Sequence, residues 1–409
     1  MWNKVAITLH VFSLISQLLL LSAPTFAFRR ALVVLCITIP FVAVHFVGPA
    51  SDVPGDAQPF TLLWPIYLGT LDKVLCANGD GPEDSYWRKD RLAREARAFK
   101  AFGISKLKWA AAMMFNTRGV RWSFEVKNLP ASRPMSKSSF LLRQAIQFAK
   151  MLLMSDLFLQ LSTRLLWTPP ESPGSKASEP GAVSWQDSKA LTISHSDWRW
   201  SFLKVLVFAA GPYFFVKLQY VTASIVAVGL NMSQVEDWPP YFGNVNNVTT
   251  VRYFWGTFWH QTLRRSFTKF TGFVINTIGI ARGTNLSSYT QIWLAFVASG
   301  LMHAQSMLLL PHPPNITVSE RTLGVLAFFL WQAAAITIED LFQWLYRRTY
   351  SGFLSQRAMN VIGYAWVIVS FWISLPWAGN VMMRLRLTEK SFLGFSLFEN
   401  MMQRIAVPP

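Results

Sequence analysis

Apolar positions along this chain run together instead of recurring at helical or strand periods. Eight such runs stand out, at Val5–Leu21, Ala31–Val47, Phe60–Cys76, Phe140–Leu161, Phe202–Leu230, Tyr289–Leu310, Leu323–Leu345 and Val361–Trp377. Each approaches the ~20 residues that carry a helix across a hydrocarbon core. Lipid offers no partners to backbone N–H and C=O groups, so a spanning segment must satisfy them itself, as a helix does. The pattern predicts an all-α, polytopic membrane protein with about eight transmembrane helices. The third run carries Asp72 and Lys73 near its end, and the fourth is the most polar, with Arg143, Lys150 and Asp156. The fifth is overlong and contains Gly211-Pro212, which predicts a kink or two shorter pieces. Lys4, the first run and Thr25-Phe26-Ala27 also resemble a signal peptide. The length of that run, and the Arg29-Arg30 and second run that follow at once, favour a retained span.

Lys and Arg are distributed unevenly between the connections. One alternate set holds Arg29-Arg30, 13 basic residues from Arg88 to Lys137, then Arg252, Arg264, Arg265, Lys269, Arg282, Arg347, Arg348 and Arg357. The other holds Lys4, three in Glu171–Arg199, and none in Ser51–Pro59 or His312–Ser319. This asymmetry predicts a cytosolic first set and an external N-terminus. The tail, with Arg384, Arg386, Lys390 and Arg404, breaks the alternation. The stretch at about 168–196 is rich in Pro, Ser, Gly and Glu and reads as a flexible loop. No internal repeat is visible, which counts against a secondary transporter. Sequons occur at Asn231, Asn247, Asn285 and Asn315; the first three fall on the predicted cytosolic side, and all four are read as unused.

Composition sharpens this picture. Apolar residues make up 52% of 409 positions and charged residues 14%, where soluble domains carry about 25% charged. The whole chain is therefore read as one membrane domain, 1–409. A net charge of +17 would suggest nucleic acid in a soluble protein. Here the basic residues lie between spans, where lipid headgroups and topology explain them better, so membrane lipids are expected partners and nucleic acid is not. An anionic small substrate, such as a phosphorylated cofactor, is the second explanation. The two cysteines, Cys36 and Cys76, exclude a disulfide framework and a Cys-based zinc site.

Candidate chemistry sits in two places. In the sixth run Gln291, Ala295, Ser299 and His303 recur at i+4, with Ser306 at i+3, forming a small and polar stripe on an apolar helix. An ionisable residue inside a span is costly and usually faces the bundle interior or a cavity. His303 is either a functional group or a packing histidine bonded to a neighbouring helix. The second place is Arg252–Arg265. Read as one helix, Trp255, Trp259, Leu263, Phe267 and Phe270 share a face, and His260, Arg264 and Thr268 share another. This predicts an amphipathic helix lying in the membrane interface, as an anchor or as part of a site.

Phe254-Trp255-Gly256-x-x-Trp259-His260-Gln261, followed by Arg264, resembles the signature of the wax synthase-like branch of the membrane-bound O-acyltransferase superfamily. In that superfamily an aromatic motif ending in Asn or His precedes an intramembrane histidine, which Ser299-Gly300-x-x-His303 resembles. Arg118-Gly119-Val120-Arg121-Trp122 and Glu125-Val126-Lys127-Asn128-Leu129-Pro130 resemble a further block of its fungal members. Order and spacing agree over about 80–380, with Thr257-Phe258 departing where a basic residue is common.

The resemblance implies acyl transfer from an acyl-coenzyme A, with acetyl favoured, to a hydroxyl of a hydrophobic terpenoid or meroterpenoid alcohol. It implies His303 as general base and His260 as the second polar group of the site. Trp255, Trp259, Gln261, Arg264, Arg265 and Ser299 are then candidate substrate or cofactor contacts. It further implies a multi-pass protein of the endoplasmic reticulum membrane. The chemistry is consistent, since a hydroxyl attacks a thioester readily only if a base takes its proton, and an apolar setting keeps imidazole neutral. His260 or Gln261 could donate to the developing oxyanion. No metal, permanently bound cofactor or covalent intermediate is expected. A long-chain wax ester synthase and a transporter or channel relaying protons through His303 are the alternatives. Glu339-Asp340 and Asp156 read as helix-end residues reaching water. His10, His45, His195 and His312 have no constellation around them, and the Arg88–Lys137 cluster reads as a headgroup-facing loop.

Overall fold

A computed structural model describes residues 1–79, 81–166, 184–349, 354–387 and 396–402. The loop at about 168–196 lies outside the described residues up to 183, as do Lys390 and Arg404 of the tail. Helices dominate, and no strand occurs among the described residues. In chain order they are α1 (Lys4–Ser22), α2 (Arg29–Val47), α3 (Pro54–Thr61), α4 (Trp64–Leu75), α5 (Pro82–Ser85), α6 (Ile104–Phe115) and α7 (Lys137–Leu166). There follow α8 (Trp198–Gly229), α9 (Val251–Tyr253), α10 (Arg264–Thr277), α11 (Asn285–Leu308), α12 (Val318–Thr349), α13 (Gln356–Arg384) and α14 (Glu399–Met402). The protein is thus all-α and polytopic.

Five helices among the described residues are long and apolar enough to cross a membrane: α1, α2, α8, α12 and α13. The sixth and fourth runs form α11 and α7, long enough at 24 and 30 residues but too polar to meet the same standard. The third run is broken into α3 and α4 at Leu62 and Leu63. Pro65 causes the break, because its ring clashes with the carbonyl four residues back and it has no N–H to continue a helix. The fifth run passes Pro212 as one 32-residue helix. It packs along much of its length against α7.

Internal contacts gather the chain into two compact units. The first comprises Met1–Leu129 and His260–Pro311. Its core brings Leu21, Val33, Ile37, Tyr67, Trp109, Met113 and Trp122 together between α1, α2, α4 and α6. The loop after α4 is pinned by a buried ion cluster, in which Glu83 accepts from Arg29 at 2.6 Å and from Lys106 at 2.8 Å. Burial opposes ionisation of Glu83, but the Arg29 and Lys106 hydrogen bonds outweigh it and hold the carboxyl below its usual range. Lys106 belongs to the basic Arg88–Lys137 stretch, so that stretch is partly a packed element and not only a headgroup-facing loop.

The second unit comprises Pro130–Trp259 and His312–Pro409, with α7 on α8 and α12 on α13. Gly324 on α12 admits the α13 backbone, since a Cβ there would strike the Trp377 carbonyl. Glu339 does not reach water as its late position in the run suggests; it is 6% exposed. Its carboxylate accepts the Val251 N–H at 2.7 Å and the Trp366 Nε1–H at 3.2 Å. With the Thr250 hydroxyl accepting from the Tyr253 N–H at 2.9 Å, it caps the first turn of α9. Asp340 pairs with Arg252 beside it. Asp156 is likewise buried, accepting the Leu397 N–H at 2.8 Å.

Candidate functional site

α11 explains its own position. Thr284 caps it by accepting from the Ser287 N–H at 3.1 Å, and the small residues Ser299 and Gly300 leave room beside His303 one turn later. His303 Nδ1 lies 2.8 Å from the Ser299 carbonyl oxygen. A carbonyl can only accept, so Nδ1 carries the proton and Nε2 carries the basic lone pair. The Ser299 hydroxyl lies 3.4 Å from the same Nδ1.

Across from this face stands α4. Trp64, its first residue, meets His303 edge to face, with ring centroids 5.2 Å apart and planes at 77°. One turn on, the Ser306 hydroxyl donates to the Thr61 carbonyl at 3.0 Å. The Pro65 break therefore has a use, because it lets the end of α3 and the start of α4 both face the stripe on α11. Trp64 is 3% exposed, and its indole N–H meets no acceptor among the described residues. Two positions past His303, the Gln305 amide donates to His45 Nε2 at 2.9 Å, tying α11 to α2.

The stretch Arg252–Arg265 is not the single helix that its periodicity predicts. α9 widens into a π turn at Phe254–Phe258, closed by the Trp259 N–H on the Phe254 carbonyl at 2.7 Å. Trp259 is then extended (φ −66°, ψ 151°), and helix resumes only at Arg264. The wider turn accommodates four large rings within six residues. The amphipathic character belongs to α10 alone, where Phe270 and Phe273 are exposed and Thr271 and Ile275 are buried.

The break separates the predicted site residues. Trp255 and Trp259 belong to an aromatic cluster of the second unit, where the Trp255 indole donates to Gln332 at 3.1 Å and packs on Phe254, Phe328 and Phe371. His260, Gln261, Arg264, Arg265, Ser299 and His303 belong to the first unit. There His260 lies within electrostatic reach of His303 and of Arg118, a residue only 5% exposed. Burial first, then His303 and the Arg118 guanidinium, lower the His260 pKa to about 3, so its ring is neutral near pH 7.

Gln261 is buried, and its side-chain oxygen accepts from Arg264 at 2.9 Å. Arg265 pairs with Asp72 at 2.7 Å and donates to the Tyr86 hydroxyl at 3.0 Å. Ser266 donates to the same Asp72 at 2.7 Å, so α10 is latched to α4. Burial pushes the Tyr86 hydroxyl up to about 12.

Sequence reasoning missed Trp64 as a neighbour of His303, since a tryptophan inside an apolar run gives no sign of a partner distant along the chain. It also missed Arg118 as a buried cation. The signal for Arg118 was its place in the Arg118–Trp122 block, where Gly119 holds φ +64° against the Phe124 carbonyl and a Cβ would lie 2.7 Å from that oxygen.

Two family models match the chain. One, for the C-terminal domain of aspirochlorine biosynthesis protein F, covers residues 136–229. The other, for the membrane bound O-acyl transferase family, covers residues 238–331 and so includes both His260 and His303. The chain is 38% identical to aspirochlorine biosynthesis protein F of Aspergillus oryzae over 232 residues, which take in 56% of this chain and 87% of that one. It is 31% identical to acetyltransferase spyB of Aspergillus fumigatus over 63% of this chain, but the match spans only 44% of spyB. With acetyltransferase atnC of an Arthrinium species it shares 26% identity over 91% of this chain and 86% of the relative. His260 and His303 both fall within the matched stretch, and with these relatives the chain belongs to the membrane-bound O-acyl transferase family.

Proposed function

We propose that this protein transfers an acyl group, acetyl by preference, from an acyl-coenzyme A to a hydroxyl of a hydrophobic terpenoid or meroterpenoid alcohol. The observation that carries the reading is the tautomer of His303. Its Nδ1–H is held by the Ser299 carbonyl, so Nε2 is the nitrogen that can take a proton. The alcohol O–H gives its proton to Nε2 as its oxygen attacks the thioester carbonyl. Collapse of the tetrahedral intermediate breaks the C–S bond, and the departing thiolate takes the proton back from the imidazolium. A base so placed contributes typically ~10²–10⁴-fold. His260, neutral at working pH, has one N–H to donate to the oxyanion, a role of about 10²–10³-fold where such donors have been removed.

The acetyl preference is supported by relatives named acetyltransferases, and a role in fungal secondary metabolism by the relative named for aspirochlorine biosynthesis. Residence in the endoplasmic reticulum membrane is part of the same proposal and is checked by co-localising a tagged chain with a marker of that membrane. The central test is a product assay. Membranes containing the full chain are given labelled acetyl- or palmitoyl-coenzyme A with a panel of terpenoid alcohols. Acetyl esters are expected. Faster turnover with palmitoyl-coenzyme A would replace the reading with a wax ester synthase. Proton flux in proteoliposomes without any ester would replace it with a proton-relaying channel.

A further inference from the structure

In the first unit, beyond the end of α4 that lies away from Trp64, a cavity of about 650 Å³ opens. Four cations line it, Arg94, Arg97, Arg265 and Lys269, against a single acid, Asp84. Asp84 pairs with Arg97, and Arg265 is matched from behind by Asp72. Neither Arg94 nor Lys269 has an acidic partner among the described residues. The cavity therefore holds an excess of positive charge beside aromatic walls from Tyr86 and Trp87. Arg94 reaches it from a left-handed backbone (φ 61°), which a non-glycine residue adopts at a cost and which concentrates at functional sites.

We infer that this cavity binds the nucleotide end of the donor thioester, a 3′-phosphorylated adenosine diphosphate, with the pantetheine arm lying along α4 toward His303. The inference rests on the acyl-transfer reading above. α4 supplies the ruler. Trp64 at its start touches His303, and Cys76, which caps its end, lines the cavity. Twelve helical steps at ~1.5 Å separate those two residues by about 18 Å. From the thioester sulfur to the first phosphorus of coenzyme A there are thirteen bonds; an extended chain gains ~1.2 Å per bond, which spans about 16 Å. The base and the basic cavity thus stand one pantetheine arm apart. A volume of this order also falls among those of small-molecule sites, about 300–1,000 Å³. Anionic phosphates gain charge-assisted hydrogen bonds from Arg94 and Lys269, and adenine has the half-buried Trp87 ring to stack on.

The test uses the full chain in nanodiscs of neutral lipid. Binding of coenzyme A, 3′-dephospho-coenzyme A and 3′,5′-adenosine bisphosphate is measured directly, and acetyl transfer separately. The bisphosphate is expected to compete with coenzyme A, and loss of the 3′-phosphate to weaken binding. Arg94→Ala and Lys269→Gln should each weaken coenzyme A binding about tenfold, the scale of one hydrogen bond to a charged group. Lys269→Arg should restore most of that loss, which controls for misfolding. With acetyl-coenzyme A as substrate, Arg94→Ala should raise KM and leave kcat within about twofold. Wild-type binding by the Arg94→Ala/Lys269→Gln double variant would overturn the assignment. So would a bisphosphate that fails to bind, or coenzyme A displaced by anionic lipid from a pocket that prefers headgroups. Binding as expected without any acyl transfer would instead sink the acyl-transfer reading and leave a coenzyme A site standing.

Discussion

Replacing His303 by alanine tests the mechanism with little collateral damage. The ring donates one hydrogen bond, to a Ser299 carbonyl that its helix already uses, so the change strands no buried charge. It also loses the edge contact with Trp64, worth about 0.5–1.5 kcal/mol. Ser299, Gly300 and Ala304 already make that face small, so a monodisperse protein is expected. The rate should fall far more, by ~10²–10⁴-fold, or about 3–5 kcal/mol in the barrier. His260→Asn should retain measurable activity, because asparagine still donates a hydrogen bond. His303→Asn should not be rescued in the same way, since an amide cannot act as a base near neutral pH. The assay is labelled acetyl transfer per mole of monodisperse protein in detergent. Wild-type turnover by a folded His303→Ala variant would refute the reasoning. Loss of the His303 and His260 variants alike from the membrane would instead favour histidines that only hold helices together.

Glu83→Ala should unfold the first unit readily, because it leaves Arg29 and Lys106 as buried unpaired cations; removing one partner of such a cluster costs about 3–5 kcal/mol, read as a lower melting temperature. Glu339→Ala should loosen the start of α9 by removing two cap bonds and expose Val251 and Arg252 to amide exchange; unchanged protection there would contradict the capping role. His260, with its pKa lowered to about 3, binds fewer protons folded than unfolded between that value and ~6.5. Its contribution is therefore intact above about pH 6.5 and lost as pH falls through this window, and His260→Asn should flatten the acid limb of melting temperature against pH. Trp64→Phe removes a buried N–H that meets no acceptor but leaves a void where the larger indole stood, so the two effects offset and stability should change by no more than about 2 kcal/mol. Transfer should stay within a few-fold, and a hundredfold loss would make that N–H a donor to the reacting carbonyl.

Much of this was legible because the membrane imposes long apolar runs that sequence displays directly. α1, α2, α8, α12 and α13 follow from length and hydropathy alone. His303 stood out as a candidate because a lone imidazole in such a run is conspicuous. What the sequence hid was determined by partners distant along the chain. Glu339 looked like a helix end, yet it is buried because Val251 and Trp366 supply donors from 88 and 27 residues away. Helical periodicity carried Trp255 and His260 onto one continuous helix, whereas crowding among the rings opens a π turn and ends it at Trp259. The third run read as one span because hydropathy does not register what Pro65 does to the carbonyl behind it.

The Asp72 latch has a thermodynamic consequence. Asp72 on α4 holds Arg265 and Ser266 on α10 at once, with both partners of the ion pair nearly buried. Five residues before Arg265 stands His260, and eight before Asp72 stands Trp64, the neighbour of His303. On the acyl-transfer reading proposed above, two walls of the site are thus joined before any substrate arrives, and little ordering is left for the transition state to require. The activation barrier should accordingly be mostly enthalpic, with a small entropic component. Cutting the latch, by contrast, should shift the barrier toward entropy even where the rate at one temperature changes little.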